Sequence, residues 1–317
     1  HQNGQDRRVL DLRYELIRAR AFNGRPKLTP PAYTPDPTDY SLCFLLGTWF
    51  GNASIESIAG LAEQLEATGD WHLAVQALAY HPNDAARGHL VRGVLSRHAP
   101  ARADTPEFEA RLKLVSRLGV PQEWVLLAQA HRAKYEHLPA VEAECLVGAS
   151  QWNAAHKVLL EELLPDAVLA DDLQSVAPLL EKMSEAARRH EISGWESGGQ
   201  ALYQYLRVCD EIRGLVSSAE TQRDRSEVQT QLEALRPTVA AACRTLSGYN
   251  PQTPRGRAAR AEMGGRLVQL ALAAGEPTQH LAAVLRALKL PPDCTPQAHT
   301  KITTDLAERA SELCIQS

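Results

Sequence analysis

Leu65-Glu66-Ala67-Thr68-Gly69-Asp70-Trp71-His72-Leu73-Ala74, followed by Leu78, is the stretch that decides the fold, because its pattern returns further along the chain. The second copy is Leu146-Val147-Gly148-Ala149-Ser150-Gln151-Trp152-Asn153-Ala154-Ala155, followed by Leu159, and Leu, Trp, Ala and Leu recur at one constant offset. In both, a helix ends at a small residue, a short polar turn follows, and a second helix opens with a tryptophan. The spacing predicts that Trp71 and Trp152 pack back over the preceding helix, while Ala74 and Ala155 let the two helices approach closely. That is a helical hairpin. A weaker echo is Leu270-Ala271-Leu272-Ala273-Ala274-Gly275-Glu276-Pro277, with Leu281 and Leu285 beyond it and Pro277 suited to a first helical turn. Hairpins of this kind stack, since each buries its apolar stripe only against its neighbours, so the expected fold is all-α, an irregular α-solenoid. The irregular spacing does not suit a tetratricopeptide array of about 34 residues or an ankyrin array of about 33.

Composition agrees with packed helices. The 317 residues are 44% hydrophobic and 5% aromatic, enough for a sizeable core but poor in stacking platforms. A net charge of -4 argues against a phosphate backbone as the main partner, because such proteins carry a basic excess. The six cysteines never form a C-x-x-C pair, which speaks against a zinc knuckle or a disulfide framework and for small apolar fillers in a reducing compartment. The longest apolar run, residues 42–50, contains Gly47 and Thr48 and is too short for a transmembrane span of roughly 18 residues. The opening HQNGQDRR has neither a Met nor an apolar signal region, and reads as an internal cut from a longer protein.

Along the chain, a first helix is expected over residues 7–22, with Val9, Leu10, Leu12, Leu16 and Ile17 mainly on one face. Five prolines between residues 26 and 37 predict an extended connector. The expected organisation is therefore an upstream helix and connector over 1–37, a solenoid trunk over 38–212, a polar segment over 213–238, and tail helices over 239–317. Within the polar segment, residues 217–231 (SSAETQRDRSEVQTQ) read as a loop, with an exposed helix face as the alternative.

No catalytic residues, cofactor or metal are indicated. The phosphate-cradling, zinc-hydrolase and nucleophile-elbow motifs all lack their minimal residues. His89 with His98, and Cys145 with His156, do not have the spacing that puts two ligands on one helix face. Asp171-Asp172 sits before Leu173 and reads as a helix-start cap rather than an acid/base pair. Arg255, Arg257, Arg260 and Arg266 form a basic patch near Tyr249; a solvated face or an acidic protein partner is expected there rather than RNA or lipid.

Several ordered motifs carry a resemblance. Thr38-Asp39-Tyr40-Ser41-Leu42 with Trp49, then Leu61 to Glu66 and Gly69 to Val75, are followed by Pro121-Gln122-Glu123-Trp124, Ala128 to Tyr135, Gln151 to His156, Leu164-Pro165-Asp166-Ala167, Gly194-Trp195-Glu196-Ser197-Gly198-Gly199 and Tyr203-Gln204-Tyr205-Leu206. Together they resemble the C-terminal scaffold nucleoporin family, helical proteins that in many organisms are released by autoproteolysis from a precursor shared with an FG nucleoporin. The resemblance covers residues 38–206. It implies a non-enzymatic scaffold of the nuclear pore Y subcomplex at the nuclear envelope, supporting protein and mRNA transport. It also implies helical solenoid nucleoporins at the arm junction as partners, with a seven-bladed β-propeller bound by a segment upstream of His1. A vesicle-coat or membrane-tethering solenoid subunit is the alternative reading.

A solenoid leaves the end of its stack uncovered unless a partner caps it. The candidate interface residues are Val284, Leu285, Leu288, Ile302, Leu306 and Leu313; the other reading makes them the core between the last helices. Trp195 and Tyr203 belong to the family motif, and the turn around Trp195 is expected to hold it packed.

Overall fold

The computed structural model describes residues 11–22, 24, 26, 28–102, 105–221 and 234–273, and the regular structure among them is entirely helical. The fold class is all-α. The chain divides into two compact units, one ending at His137 and the other starting at Leu138, so the division falls inside the 38–212 span.

The first unit contains α1 (Leu12–Ala21), a 3-10 turn (Pro30–Ala32), α2 (Ser41–Trp49), α3 (Ile55–Ala67), α4 (Trp71–Leu78), α5 (Asp84–His98), α6 (Pro106–Arg117) and α7 (Gln122–Tyr135). Side-chain caps set four of the starts: Asp11, Ser54, Asn83 and Thr105 accept from the backbone N–H groups of Arg13, Ser57, Ala86 and Phe108. The Asp11 cap is why α1 begins at Leu12, later than the apolar pattern suggests. On the apolar face of α1, Ile17 is 68% exposed while Leu12 and Leu16 are half-buried. The proline-rich connector is not extended throughout. Proline's φ suits a 3-10 turn as well as an extended chain, and Pro30–Ala32 adopts that turn. The Tyr33 hydroxyl then donates to the Asp39 carbonyl, and Asn52 Nδ2 donates to the Pro26 carbonyl at 3.2 Å.

The two hairpins close with the same joint. Gly69 (φ +86°) and Ser150 (φ +57°) occupy the same repeat position and both lie in the left-handed region. Asp70 N–H reaches the Leu65 carbonyl and Gln151 N–H the Leu146 carbonyl, each at 2.8 Å; Gly69 and Ser150 N–H reach the carbonyls of Glu66 and Val147, each at 3.0 Å. These paired bonds satisfy the last carbonyls of α3 and of α8 (Pro139–Gly148) and reverse the chain within two residues. Ala74 and Ala155 are fully buried, as close helix approach requires.

Trp71 shares a core cluster with Ile58 and Ala62 of the preceding helix, and the tryptophan rings also reach forward along the chain. Trp71 stacks on His98 (6.4 Å, 8°) and meets Phe108 (5.5 Å), while Trp152 stacks on His190 (5.8 Å, 17°), so each ring reaches residues later in the chain. This direction turns a hairpin into a stack. Ile58, Trp71, Val75, Leu78, Val91, Leu95, Phe108 and Val125 accordingly share one core cluster. Glu66, at the end of α3, binds Arg97 Nη2 (2.8 Å) and His98 Nε2 (2.9 Å) at the end of α5, and the Arg97 hydrogen bond is the main cause holding its carboxyl below the usual range.

The second unit continues from α8 with α9 (Trp152–Val158), a π-helical turn (Leu159–Leu163), α10 (Leu164–Leu169), a 3-10 turn (Leu173–Ser175), α11 (Ala177–Ala187), α12 (Gly199–Thr221), α13 (Arg236–Gly248) and α14 (Pro254–Ala273). α9 runs through the π turn into α10 with helical backbone at both junctions. Pro165 accounts for the irregularity. It has no N–H, and its ring clashes with the carbonyl four residues back in a regular helix, so the preceding turn widens and Leu164 N–H bonds the Leu159 carbonyl. That leaves the Leu160 carbonyl without its usual donor. The buried Tyr249 hydroxyl approaches it at 3.4 Å from the far end of α13. Burial pushes that hydroxyl up to about 12, so it remains a donor at neutral pH.

α12 runs through residues 217–221, where composition favours a loop; 222–231 lie outside the described residues. α14 packs on α10 and α13, and α13 on α12. Leu270 to Ala273 continue α14, and the rest of the weaker echo lies outside the described residues.

Two stability measurements follow from these joints. Gly69→Ala forces a Cβ into the left-handed region and should lower the unfolding free energy by about 1 kcal/mol; an unchanged urea midpoint contradicts the joint. Tyr249→Phe should cost about 1 kcal/mol through the unpaired Leu160 carbonyl, and a neutral result would mean that the carbonyl is satisfied by water.

Candidate protein interface

The six expected interface residues, Val284, Leu285, Leu288, Ile302, Leu306 and Leu313, lie outside the described residues. Among the described residues, no group of three metal-binding side chains occurs and no helix is long and apolar enough to cross a membrane. The described motif residues fall in two places. Trp71 and Ala74 belong to the first unit's core. Trp152, Ala155, Trp195 and Tyr203 belong to the second unit, where Ala155 and Trp195 are buried and Trp152 and Tyr203 half-buried.

His156 organises the surroundings of Trp195, a role the sequence reading missed. Its Nδ1 faces the Ser193 carbonyl at 3.1 Å, and its Nε2 accepts from Gly199 N–H at 3.1 Å. Those two partners require a neutral ring with the proton on Nδ1. Burial lowers its pKa, partly opposed by the Ser193 bond. The Trp195 ring packs on it at 5.5 Å, with indole Nε1 donating to Gln200 Oε1 at 3.2 Å. A Cβ at Gly199 would lie 2.2 Å from Trp195, so only glycine lets the start of α12 pass the indole. Asn153 Oδ1 accepts from Ser193 N–H at 2.8 Å, adding a second tie from α9 to the same turn. A signal existed. His156 sits where the first hairpin places the buried Val75, and a polar side chain in a core position needs partners. On α12 the fully buried tyrosine is Tyr205 rather than Tyr203.

The basic patch is largely used inside the chain. Arg266 binds Asp171 at 2.5 Å, Glu262 at 3.0 Å and the Val168 carbonyl at 3.3 Å, and Arg255 reaches Asp166 at 3.4 Å. Arg260 is buried, and so is Tyr249. These arginines pin α14 to α10. Asp171 is also not a helix-start cap. It lies in the left-handed region (φ +57°) directly after α10, with Asp172 N–H on the Ala167 carbonyl at 2.9 Å, and so closes that helix.

Exposed apolar side chains gather in sequence at the end of α2. At the end of α2, Trp49 is 86% exposed, and Leu45, Phe50 and Ile55 beside it in sequence are exposed as well.

The titration of His156 has a definite sign. Its folded-state pKa lies below the unfolded imidazole value of about 6.5, so the unfolded chain binds more protons and stability is lost as pH falls below that value. The chain should therefore unfold more readily at pH 5.5 than at pH 7.5, and His156→Gln should reduce that difference. An equal pH dependence in both would show that His156 carries none of it.

Comparison with known proteins adds identity. Residues 1–132 match the family model Nup96, Nuclear protein 96. The Nuclear pore complex protein Nup98-Nup96 of Drosophila melanogaster is 23% identical over 272 residues, 82% of this chain and 14% of the relative. Nucleoporin nup189 of Schizosaccharomyces pombe is 29% identical over 151 residues, 47% of this chain and 8% of the relative. The chain thus spans a small part of each relative's length. The family match begins at residue 1, upstream of the motifs that start at Thr38, and the Drosophila alignment is longer than the 38–206 stretch those motifs cover. On these matches, the chain is similar to the Nuclear protein 96 family of nucleoporins, with the family model covering residues 1–132.

Proposed function

We propose that this chain is a structural segment of the nuclear pore scaffold, acting in the Y subcomplex through helix-to-helix contacts with other solenoid nucleoporins. The carrying observation is the match of residues 1–132 to the Nuclear protein 96 family, alongside relatives whose names place them in the nuclear pore. The architecture is compatible. The buried polar groups described above are engaged in holding helices together, and such a chain acts through its shape and surface. The partners this reading names for the chain are helical solenoid nucleoporins at the arm junction.

The tail is the proposed contact, through Val284, Leu285, Leu288, Ile302, Leu306 and Leu313. α13 and α14 cannot be removed to test this, because Val239, Leu246, Met263 and Leu267 are buried in the second unit. The clean truncation ends after Ala273. Reconstitution with helical Y-complex nucleoporins should show association of the full chain, its loss on truncation, and its loss when Val284, Leu285 and Leu288 are replaced by Asp. Association that survives both changes would refute the tail interface.

A further inference from the structure

The second unit carries a groove of about 270 Å³ between α8, α10 and the start of α11. Leu163, Ala167, Val176 and Leu179 supply its apolar lining, and Glu144, Asp166 and Asp172 are the charged residues among those that form it. No Lys or Arg lines it. The three carboxylates come from α8, α10 and the turn after α10, so three separate elements bring negative charge to one apolar site. All three side chains are exposed. Asp166 already has Arg255 at 3.4 Å on one side, whereas Glu144 and Asp172 form no ion pair among the described residues and hold their charge at the groove. The alanines matter as well. Ala140 and Ala170 border the groove with nothing longer than a methyl, which lets another backbone come close.

The volume lies below the roughly 300–1,000 Å³ of small-molecule sites. It suits two or three side chains of a longer ligand rather than an enclosed cofactor. Apolar lining demands aliphatic anchors, and the uncompensated carboxylates demand cations beside them. An anionic membrane or nucleic acid would be repelled by the same charges.

We propose that this groove docks a basic amphipathic helix of a partner protein, with aliphatic residues at i, i+3 or i+4, and i+7 and with Lys or Arg flanking them. The proposal extends the scaffold reading by naming a partner chemistry at a second surface. It rests on the groove alone, so its failure would leave the tail contact standing, and the reverse also holds.

The test uses the full chain and two fluorescein-labelled peptides, basic KLARALKKLARALK and acidic ELAEALEELAEALE, followed by fluorescence anisotropy. The basic peptide should bind and the acidic one should not. The double variant Glu144→Lys, Asp172→Lys should weaken binding about tenfold, and Ala140→Trp should do the same by occupying the groove, while Glu109→Lys in the first unit should have no effect. Circular dichroism should show each variant as helical as the parent, since all the altered positions are exposed. Equal binding of both peptides, full affinity in the double variant, or an equal loss with Glu109→Lys would each overturn the proposal. So would a concentration-dependent dimer of the chain alone that the double variant dissolves, because the groove would then belong to a second copy.

Discussion

Two short helices can bury their facing stripes only if the chain between them reverses within a couple of residues and nothing bulky stands at their contact. Residues in the left-handed region at Gly69 and Ser150 meet the first condition, and the buried Ala74 and Ala155 meet the second. Much of the remaining packing follows from that. Once α4 is folded back on α3, the Trp71 ring is presented to His98 and Phe108, and the next helices have a surface on which to assemble. The same logic holds where Trp152 meets His190. Left-handed closure recurs at Asp171, which ends α10 without glycine. An Asp can adopt that conformation at modest cost, and here its side chain gains Arg266.

Long-range polar contacts hold the second unit where apolar packing alone would not specify register. Pro165 disturbs the helix containing α9 and α10, and Tyr249 answers the orphaned carbonyl from residues far along the chain. His156 stands between the Ser193 carbonyl and the Gly199 amide and so fixes where α12 begins. Arg266 spans α14 and the end of α10. Each of these groups would be costly to bury without its partner, so each excludes alternative packings as well as stabilising this one.

Much of this was legible in the sequence, for a physical reason. The all-α fold, the two hairpins and their joints are local features, written in Leu, Trp, Ala and turn residues a few positions apart. What escaped the reading depends on distant partners. Asp171-Asp172 looks like a helix start because the carboxylates precede Leu173, and only the geometry shows Asp171 closing the previous helix. Arg255 and Arg266 look like a surface patch because their acidic partners, Asp166 and Asp171, are remote in sequence. Likewise, the apolar pattern of α1 does not tell which of its residues are covered: Leu12 and Leu16 are half-buried and Ile17 is exposed. For the candidate contacts the contrast is sharper. The acidic groove gathers side chains from several elements and leaves no periodic trace. The tail residues form a readable pattern, yet a pattern of apolar spacing is the same whether it faces a partner or a neighbouring helix.

The central claim is that equivalent joints close both hairpins and that the stacking depends on them. Native-state hydrogen exchange on the intact chain tests this most directly, at the amides of Asp70 and Gln151. These donate to the Leu65 and Leu146 carbonyls across the joints, so both should exchange as slowly as amides in the middle of the helices they close. Exchange at the rate of an exposed turn at either position would contradict the account.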